Sequence, residues 1–395
     1  MLITKYMGKE TYGEFTIIYS IVILVATSTF AFIKQGMLRF YIHSDNIKKN
    51  KGIKLEFYNL VIAFYILAQV PLIAFTYFFK GLEFSLLSSL LLFFNINYMF
   101  AFTVYQLEKK SKKVFILEFL VYFSLLILLL VISFLMKNNQ STNIIYLLSI
   151  YAISFSTVYF INKDLLSYLY KCSYNLKSLI QSPLFKKISF YSFGMVSWIS
   201  ISYLLNIADR YIVSLFYSIE IVGEYTSIYD LIFKMVSFIS IPVLYASHPY
   251  ILQNWEKGKI KKSLELINGA IKLEIVIFTI FIFLLYFTNE YFFQFFLGLK
   301  PISFHLVFSI ALGSFLWQIS LLVHKVLELS KNIKFMVISL SIALITNIIL
   351  NLLLVPSMGY SASIFITPFS ILIYIVLVLY KSNKITVELN KEINE

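Results

Sequence analysis

Residues 114–136 read VFILEFLVYFSLLILLLVISFLM, and Glu118 is the only charged residue in this run. A stretch of about 20 apolar residues is long enough to cross the roughly 30 Å hydrocarbon core of a bilayer as an α-helix. The strands of membrane β-barrels instead alternate apolar and polar residues over about ten positions. The continuous apolar run therefore indicates a membrane-spanning helix.

Similar runs recur along the whole chain. The chain is 59% hydrophobic and 13% charged, with a mean hydropathy of +0.82, whereas soluble domains carry roughly 25% charged residues. We therefore predict an all-α polytopic membrane protein with about 11 transmembrane helices. The predicted spans are 15–33, 57–79, 83–105, 114–136, 144–161, 189–208, 224–249, 270–287, 303–324, 334–356 and 360–380.

The number of lysine and arginine residues alternates between high and low from one connection to the next. Every second connection is rich in them, and with the C-terminal tail these hold 25 basic residues, against 6 in the others. Because basic connections stay in the cytoplasm, the C-terminus is predicted to be cytoplasmic and residue 1 external. The net charge of +13 is then explained by orientation in the membrane, and no nucleic-acid partner is predicted. The rich connections include 34–56, 106–113, 162–188 and 250–269.

An internal repeat relates the two halves of the chain. Residues 10–19 (ETYGEFTIIY) recur 210 positions later as residues 220–229 (EIVGEYTSIY), with six identical positions. Six predicted spans, an even number, separate the copies, so both copies face the same side and the halves are parallel repeats. We predict an N-terminal helical lobe at 1–161, a cytoplasmic connection at 162–188 and a six-helix C-terminal lobe at 189–395.

The repeat also predicts a helix that the chain lacks. The span 189–208 precedes the second copy, and its counterpart would fall before residue 1. A restored first helix would make two bundles of six and would return the N-terminus to the cytoplasm. We therefore expect five plus six helices derived from an ancestral six plus six.

Three segments resemble a known family. Residues 7–13 (MGKETYG) resemble an LGPEEYG connection, residues 206–212 (NIADRYI) with Gly223 and Tyr225 resemble a DR…G.Y element, and residues 351–359 (NLLLVPSMG) resemble an NL.LIP.YG junction. These elements, in this order, are typical of Wzx-type polysaccharide flippases of the multidrug/oligosaccharidyl-lipid/polysaccharide exporter (MOP) superfamily. The chain departs from that family in lacking its first helix.

The resemblance implies a flippase rather than an enzyme, with no cofactor. Its implied cargo is an undecaprenyl-pyrophosphate-linked oligosaccharide of O-antigen and lipopolysaccharide, capsule or exopolysaccharide, moved by alternating access across the bacterial cytoplasmic (inner) membrane. Implied partners are this lipid-linked oligosaccharide, membrane lipids and the polysaccharide polymerase machinery. The alternatives are a multidrug or cation antiporter of the same superfamily, an inactive truncated flippase, and a membrane glycosyltransferase, which the lack of a long external connection disfavours.

Charged residues inside or beside spans are the candidate substrate contacts, because burying a charge in a membrane is costly. Asp230 and Lys234 are four residues apart, hence on one helical face, where they would either contact cargo or neutralise each other. Arg210 and Arg39 lie at predicted span ends and suit either phosphate binding or anchoring.

Four further residues are candidates for proton coupling, because histidine and a perturbed carboxylate can titrate near neutral pH. The alternative is that they are ordinary interfacial residues. They are Glu118, Glu274, His248 and His324. No metal site is predicted, since Cys172 is the sole cysteine and no ligand cluster stands out.

Overall fold

The computed structural model describes residues 2–40, 47–135, 144–171, 183–299 and 302–394. All regular secondary structure in these ranges is helical. The helices are α1 Leu2–Met7, α2 Lys9–Phe40, α3 Ile47–Lys80, α4 Leu82–Leu107, α5 Ser111–Leu135, α6 Ile144–Ser156, α7 Val158–Ile161, α8 Lys163–Lys171, α9 Pro183–Phe216, α10 Ile219–Glu256, α11 Ile260–Leu297, α12 Phe304–Val323, α13 Lys325–Leu329, α14 Ile333–Met358 and α15 Ala362–Asn394.

The predicted number of membrane spans is confirmed. Within the described ranges, 11 helical segments are long and apolar enough to cross a bilayer, and each overlaps one predicted interval. Four of the described spanning helices continue through prolines, at Pro71, Pro242, Pro356 and Pro368 among others, as membrane helices can when neighbours satisfy the freed backbone groups. The spans are α2, α3, α4, α5, α6 with α7, α9, α10, α11, α12 with α13, α14 and α15.

The buried fraction of each span distinguishes spans that face lipid from spans that other helices surround. Only 17% of the α5 span is buried, against 72% of the span formed by α12 and α13. Helix α5 exposes large apolar side chains such as Phe115, Phe119 and Phe134, whereas α12 packs against α10 and α15. An exposed apolar face of this size is the surface that a helix presents to lipid.

The chain forms two compact units. The C-terminal unit comprises Ile3–Gly13 and Leu204–Glu395, and the N-terminal unit comprises Glu14–Tyr203. The division lies within α9, so the domain boundaries at 161 and 189 stay a prediction. Part of the predicted connection 162–188 forms α8, and its residues 172–182, which include Cys172, lie outside the described ranges.

The first residues of the two repeat copies meet inside the C-terminal unit. A Cβ on Gly13 would overlap the carbonyl oxygen of Ile219, and a Cβ on Gly223 would overlap that of Lys9. Since Lys9 and Ile219 are also 210 residues apart, the contact is reciprocal, as in an isologous interface between equivalent surfaces. The matched glycines therefore allow α10 and the start of α2 to cross at backbone contact.

The junction before the last helix is also explained by local contacts. Gly359 ends α14 with a φ of +88°, a conformation that glycine adopts without steric cost. Ser363 donates a hydrogen bond to the Asn351 side chain, and Tyr217 donates one to the Val355 carbonyl at 3.1 Å. These contacts hold the turn between α14 and α15, so this motif has a structural role.

Candidate functional site

A buried charged cluster lies where α9 and α10 pack in the C-terminal unit. The Arg210 guanidinium pairs with the Asp230 carboxylate, and its Nη1 lies 3.5 Å from the second carboxylate oxygen. The guanidinium carbon also lies 5.9 Å from the centre of the Tyr229 ring, within the range of a cation–π interaction. Arg210 is only 8% exposed, so these contacts replace its hydration.

The carboxylates of the cluster are hydrogen-bonded as well. Asp209, which is 2% exposed, accepts hydrogen bonds from the Tyr225 hydroxyl and from the backbone N–H of Arg210. Asp230 accepts a hydrogen bond of 2.8 Å from Tyr12, in the N-terminal segment of the same unit. Buried charges persist when they are paired in this way, so the geometry favours a structural role for Asp209, Arg210 and Asp230.

Asp230 and Lys234 do not form the ion pair that was one of the two alternatives left open by their spacing. Asp230 binds Arg210 instead, because the planar guanidinium can approach both carboxylate oxygens. Lys234 is exposed, and no carboxylate of the described ranges lies within 4.0 Å of its ammonium group. It lies 15 residues after the start of α10, which is roughly 22 Å along the helix. Lys234 is therefore available to a ligand, whereas Arg210 is already engaged.

A pocket of about 280 Å³ lies between α2 and α4 in the N-terminal unit. Its lining combines aromatic rings, two threonine hydroxyls and one ammonium group. The residues are Thr27, Phe30, Ala31 and Lys34 of α2, Tyr98, Met99, Phe102 and Thr103 of α4, and Ile199 of α9. Both α2 and α4 span the membrane, so the pocket lies among transmembrane helices.

Lys34 is the charged residue of this pocket, although the sequence alone predicts it to lie in the connection 34–56. The apolar run ends at residue 33, but α2 continues to Phe40 and places Lys34 inside its span. Lys34 is half-buried, and no carboxylate in the described part of the chain lies within 4.0 Å of its ammonium group. Helical spacing could have found it, since positions 27, 30, 31 and 34 share one face.

Two coupling candidates occupy buried positions in the C-terminal unit. Glu274 on α11 is 2% exposed, and its Oε2 has no hydrogen-bond partner among the described residues. His324 lies between α12 and α13, where its Nδ1 is 3.2 Å from the Tyr374 hydroxyl and its Nε2 is 3.9 Å from Glu328. Glu274 is therefore a buried carboxylate whose Oε2 has no compensating partner in the described ranges.

The other predicted site residues are less informative. Glu118 on α5 and His248 on α10 are half-buried, and Glu118 lines a pocket at the start of α5. Arg39 falls near the end of α2, and its side chain lies outside the described residues. The structure therefore brings Arg210 and Asp230 into contact and leaves the roles of the remaining candidates as predictions.

No family model and no curated protein matches the sequence significantly, but two solved structures match the fold. One is "Lipid II flippase MurJ, inward closed conformation", with a TM-score of 0.66 at 15% identity over 96% of this chain and 83% of that chain. The chain therefore shares its fold with this protein. The second match is the "inward-facing conformation of a multidrug resistance MATE family transporter of the MOP superfamily", with a TM-score of 0.66 at 10% identity over 99% of this chain and 96% of that chain.

Proposed function

We propose that the protein moves a polyprenyl-pyrophosphate-linked oligosaccharide across the bacterial cytoplasmic membrane by alternating access. The observation that carries this proposal is the ammonium of Lys34 in the pocket between α2 and α4, which has no carboxylate within 4.0 Å among the described residues. A charge inside a membrane span is costly, and the cost is greatest at the centre of the helix; Lys34 lies inside the α2 span, four residues before its end. A pyrophosphate bound there would offset that cost, while the apolar and aromatic lining would accommodate the first isoprene units or a sugar ring.

The fold supports a transporter, and one protein of the same fold is described as a lipid II flippase. Such a cargo is amphiphilic, and its phosphates cannot enter hydrocarbon without a cationic partner. In this proposal Lys34 contacts the pyrophosphate, while Lys234 and Arg39 contact phosphate or glycan later in the cycle. Arg210 and Asp230 hold the scaffold, and the C-terminus lies in the cytoplasm.

We expect Lys34→Ala to reduce flipping at least tenfold, because the anion would lose its cationic partner. Lys34→Arg should retain most of the activity, since the charge remains. The measurement is the rate at which a fluorescent undecaprenyl-pyrophosphate oligosaccharide becomes accessible on the opposite leaflet of proteoliposomes. Lys112→Ala is the matched control, because Lys112 is exposed at the start of α5, outside the pocket. Equal rates for Lys34→Ala and the wild type would remove Lys34 from the cargo site.

A multidrug or cation antiporter is the second candidate, and buried Glu274 favours it. Glu274 lies inside the α11 span, and its Oε2 has no hydrogen-bond partner among the described residues. Intramembrane carboxylates of this kind serve as proton relays in pumps and transporters. If the protein is an antiporter, Glu274→Gln should abolish drug efflux driven by a pH gradient. In a flippase that uses no proton at this position, the same change should leave flipping intact and raise the unfolding temperature. Proteoliposomes assayed with both cargoes distinguish the two functions.

A further inference from the structure

A second pocket of the N-terminal unit lies where three lysine-rich connections meet. Its volume is about 260 Å³, and it is lined from the start of α3, the α4–α5 connection and the α7–α8 connection. The charge alternation predicts that all three connections lie in the cytoplasm. This pocket is separate from the Lys34 pocket, and none of the roles assigned above uses it.

The charges of this pocket are largely compensated. Lys54 and Lys110 both pair with Glu108, and the ammonium of Lys113 lies 5.3 Å from the centre of the Tyr105 ring. Asp164 adds a further carboxylate to the lining. Since an anion entering here would meet two carboxylates beside lysines that are already paired, the pocket is poorly suited to a phosphate.

Several hydrogen-bonding groups of the pocket are left unused. Asn162 is 7% exposed, and its side-chain amide has no hydrogen-bond partner among the described residues, although its backbone groups bond to Val158 and Leu165. The Tyr168 hydroxyl likewise has no hydrogen-bond partner in the described part of the chain. Burial, with the nearby charges of Asp164 and Glu108, raises the pKa of Tyr168 to about 12, so its hydroxyl remains a donor at neutral pH.

The Asn162 amide and the Tyr168 hydroxyl both line the pocket and are therefore available to hydrogen-bond a polar ligand. Sugar hydroxyls would donate to the Asp164 carboxylate and the Asn162 carbonyl and accept from Tyr168, whose ring offers a face to sugar C–H groups. The pocket volume of about 260 Å³ is slightly smaller than that of sites for drug-sized ligands, which is about 300–1,000 Å³. It suits one sugar ring.

We propose that this pocket binds one glycosyl residue on the cytoplasmic side. The inference rests on the proposed function, because the occupant is the glycan of the lipid-linked cargo. The sugar would engage this pocket while the pyrophosphate stays near the membrane. The pocket would then contribute to cargo selection before translocation.

The test is saturation-transfer NMR on the full chain in lipid nanodiscs, with the methyl glycosides of glucose, galactose, rhamnose and N-acetylglucosamine as probes. Wild type should give saturation transfer to at least one glycoside. We expect Tyr168→Phe, which removes one hydroxyl, to weaken binding about three- to tenfold, as the loss of one hydrogen bond should. Asn162→Ala should weaken it at least as much. Tyr170→Phe is the matched control, since Tyr170 lies on the same helix and is 91% exposed.

Absence of binding by all four glycosides, or equal binding by wild type and Tyr168→Phe, would overturn the proposal. Competition of the bound glycoside by inorganic pyrophosphate would do the same and would assign the pocket to anions. Thermal unfolding of each variant identifies loss of binding that is caused by misfolding. Binding of soluble glycosides is independent of flipping, so glycoside binding without cargo transport would reject the proposed function alone, and transport without glycoside binding would reject this site alone.

Discussion

Gly223→Ala is expected to be among the most damaging single-methyl changes in the protein. The added Cβ would overlap the backbone carbonyl of Lys9 and lie 2.9 Å from the backbone nitrogen of Gly13. Neither atom belongs to a flexible side chain, so the N-terminal segment must shift. Overpacking of this kind costs about 1–3 kcal/mol, and we expect an unfolding temperature several degrees lower and faster tryptic cleavage at Lys9.

Because both matched glycines lie at the crossing, the same prediction applies to Gly13. Gly13→Ala should have a similar effect. The double variant should lose less free energy of unfolding than the sum of the two single losses, because both changes disrupt the same helix crossing. Gly269→Ala is the control, because a Cβ there would meet no atom within 4 Å, and alanine in a helix is favoured over glycine by about 0.5–1 kcal/mol. Equal stability of Gly223→Ala and Gly269→Ala would contradict the crossing.

Arg210→Gln is expected to cause the largest loss of stability of any charge removal in the C-terminal unit. It would leave the Asp230 carboxylate without its guanidinium partner and Tyr229 without its cation. Breaking a buried pair by removing one partner costs about 3–5 kcal/mol. The measurement is thermal unfolding of the purified protein in detergent, followed by the yield of folded protein.

A double-mutant cycle identifies the origin of that loss. Arg210→Gln combined with Asp230→Asn should be more stable than Arg210→Gln alone, because no unpaired charge remains at position 230. Lys234→Ala should change stability little, since Lys234 is exposed and has no ion pair among the described residues. If Lys234→Ala destabilised the protein as much as Arg210→Gln, Lys234 would be the true partner of Asp230.

The two sets of variants separate the scaffold from the transport function. The glycine crossing and the Arg210–Asp230 pair both connect α10 to other parts of the C-terminal unit, and neither is required to contact cargo. Lys34 and Lys234 lack ion-pair partners among the described residues. Loss of transport without loss of stability is therefore expected for changes of these lysines, and not for changes of the crossing glycines or of Arg210.

Sequence periodicity predicted the helices well but misjudged their ends. The span 15–33 was limited by its apolar run, whereas α2 extends from Lys9 to Phe40. A helix is held by backbone hydrogen bonds and continues beyond the last apolar side chain. For this reason Lys34 was assigned to a connection, although it lines a pocket within a transmembrane helix.

The sequence by itself determined the membrane class, the 11 spans and the glycines of the repeat, because these depend on apolar run length and on similarity between segments of one chain. Only the tertiary structure decided which charges pair. Spacing suggested Asp230 and Lys234 as neighbours on one helix, but the partner of Asp230 is Arg210, 20 residues earlier on a different helix. Which residue pairs with Asp230 depends on how the helices pack and on the planar shape of the guanidinium group. Neither can be derived from residue spacing along one helix.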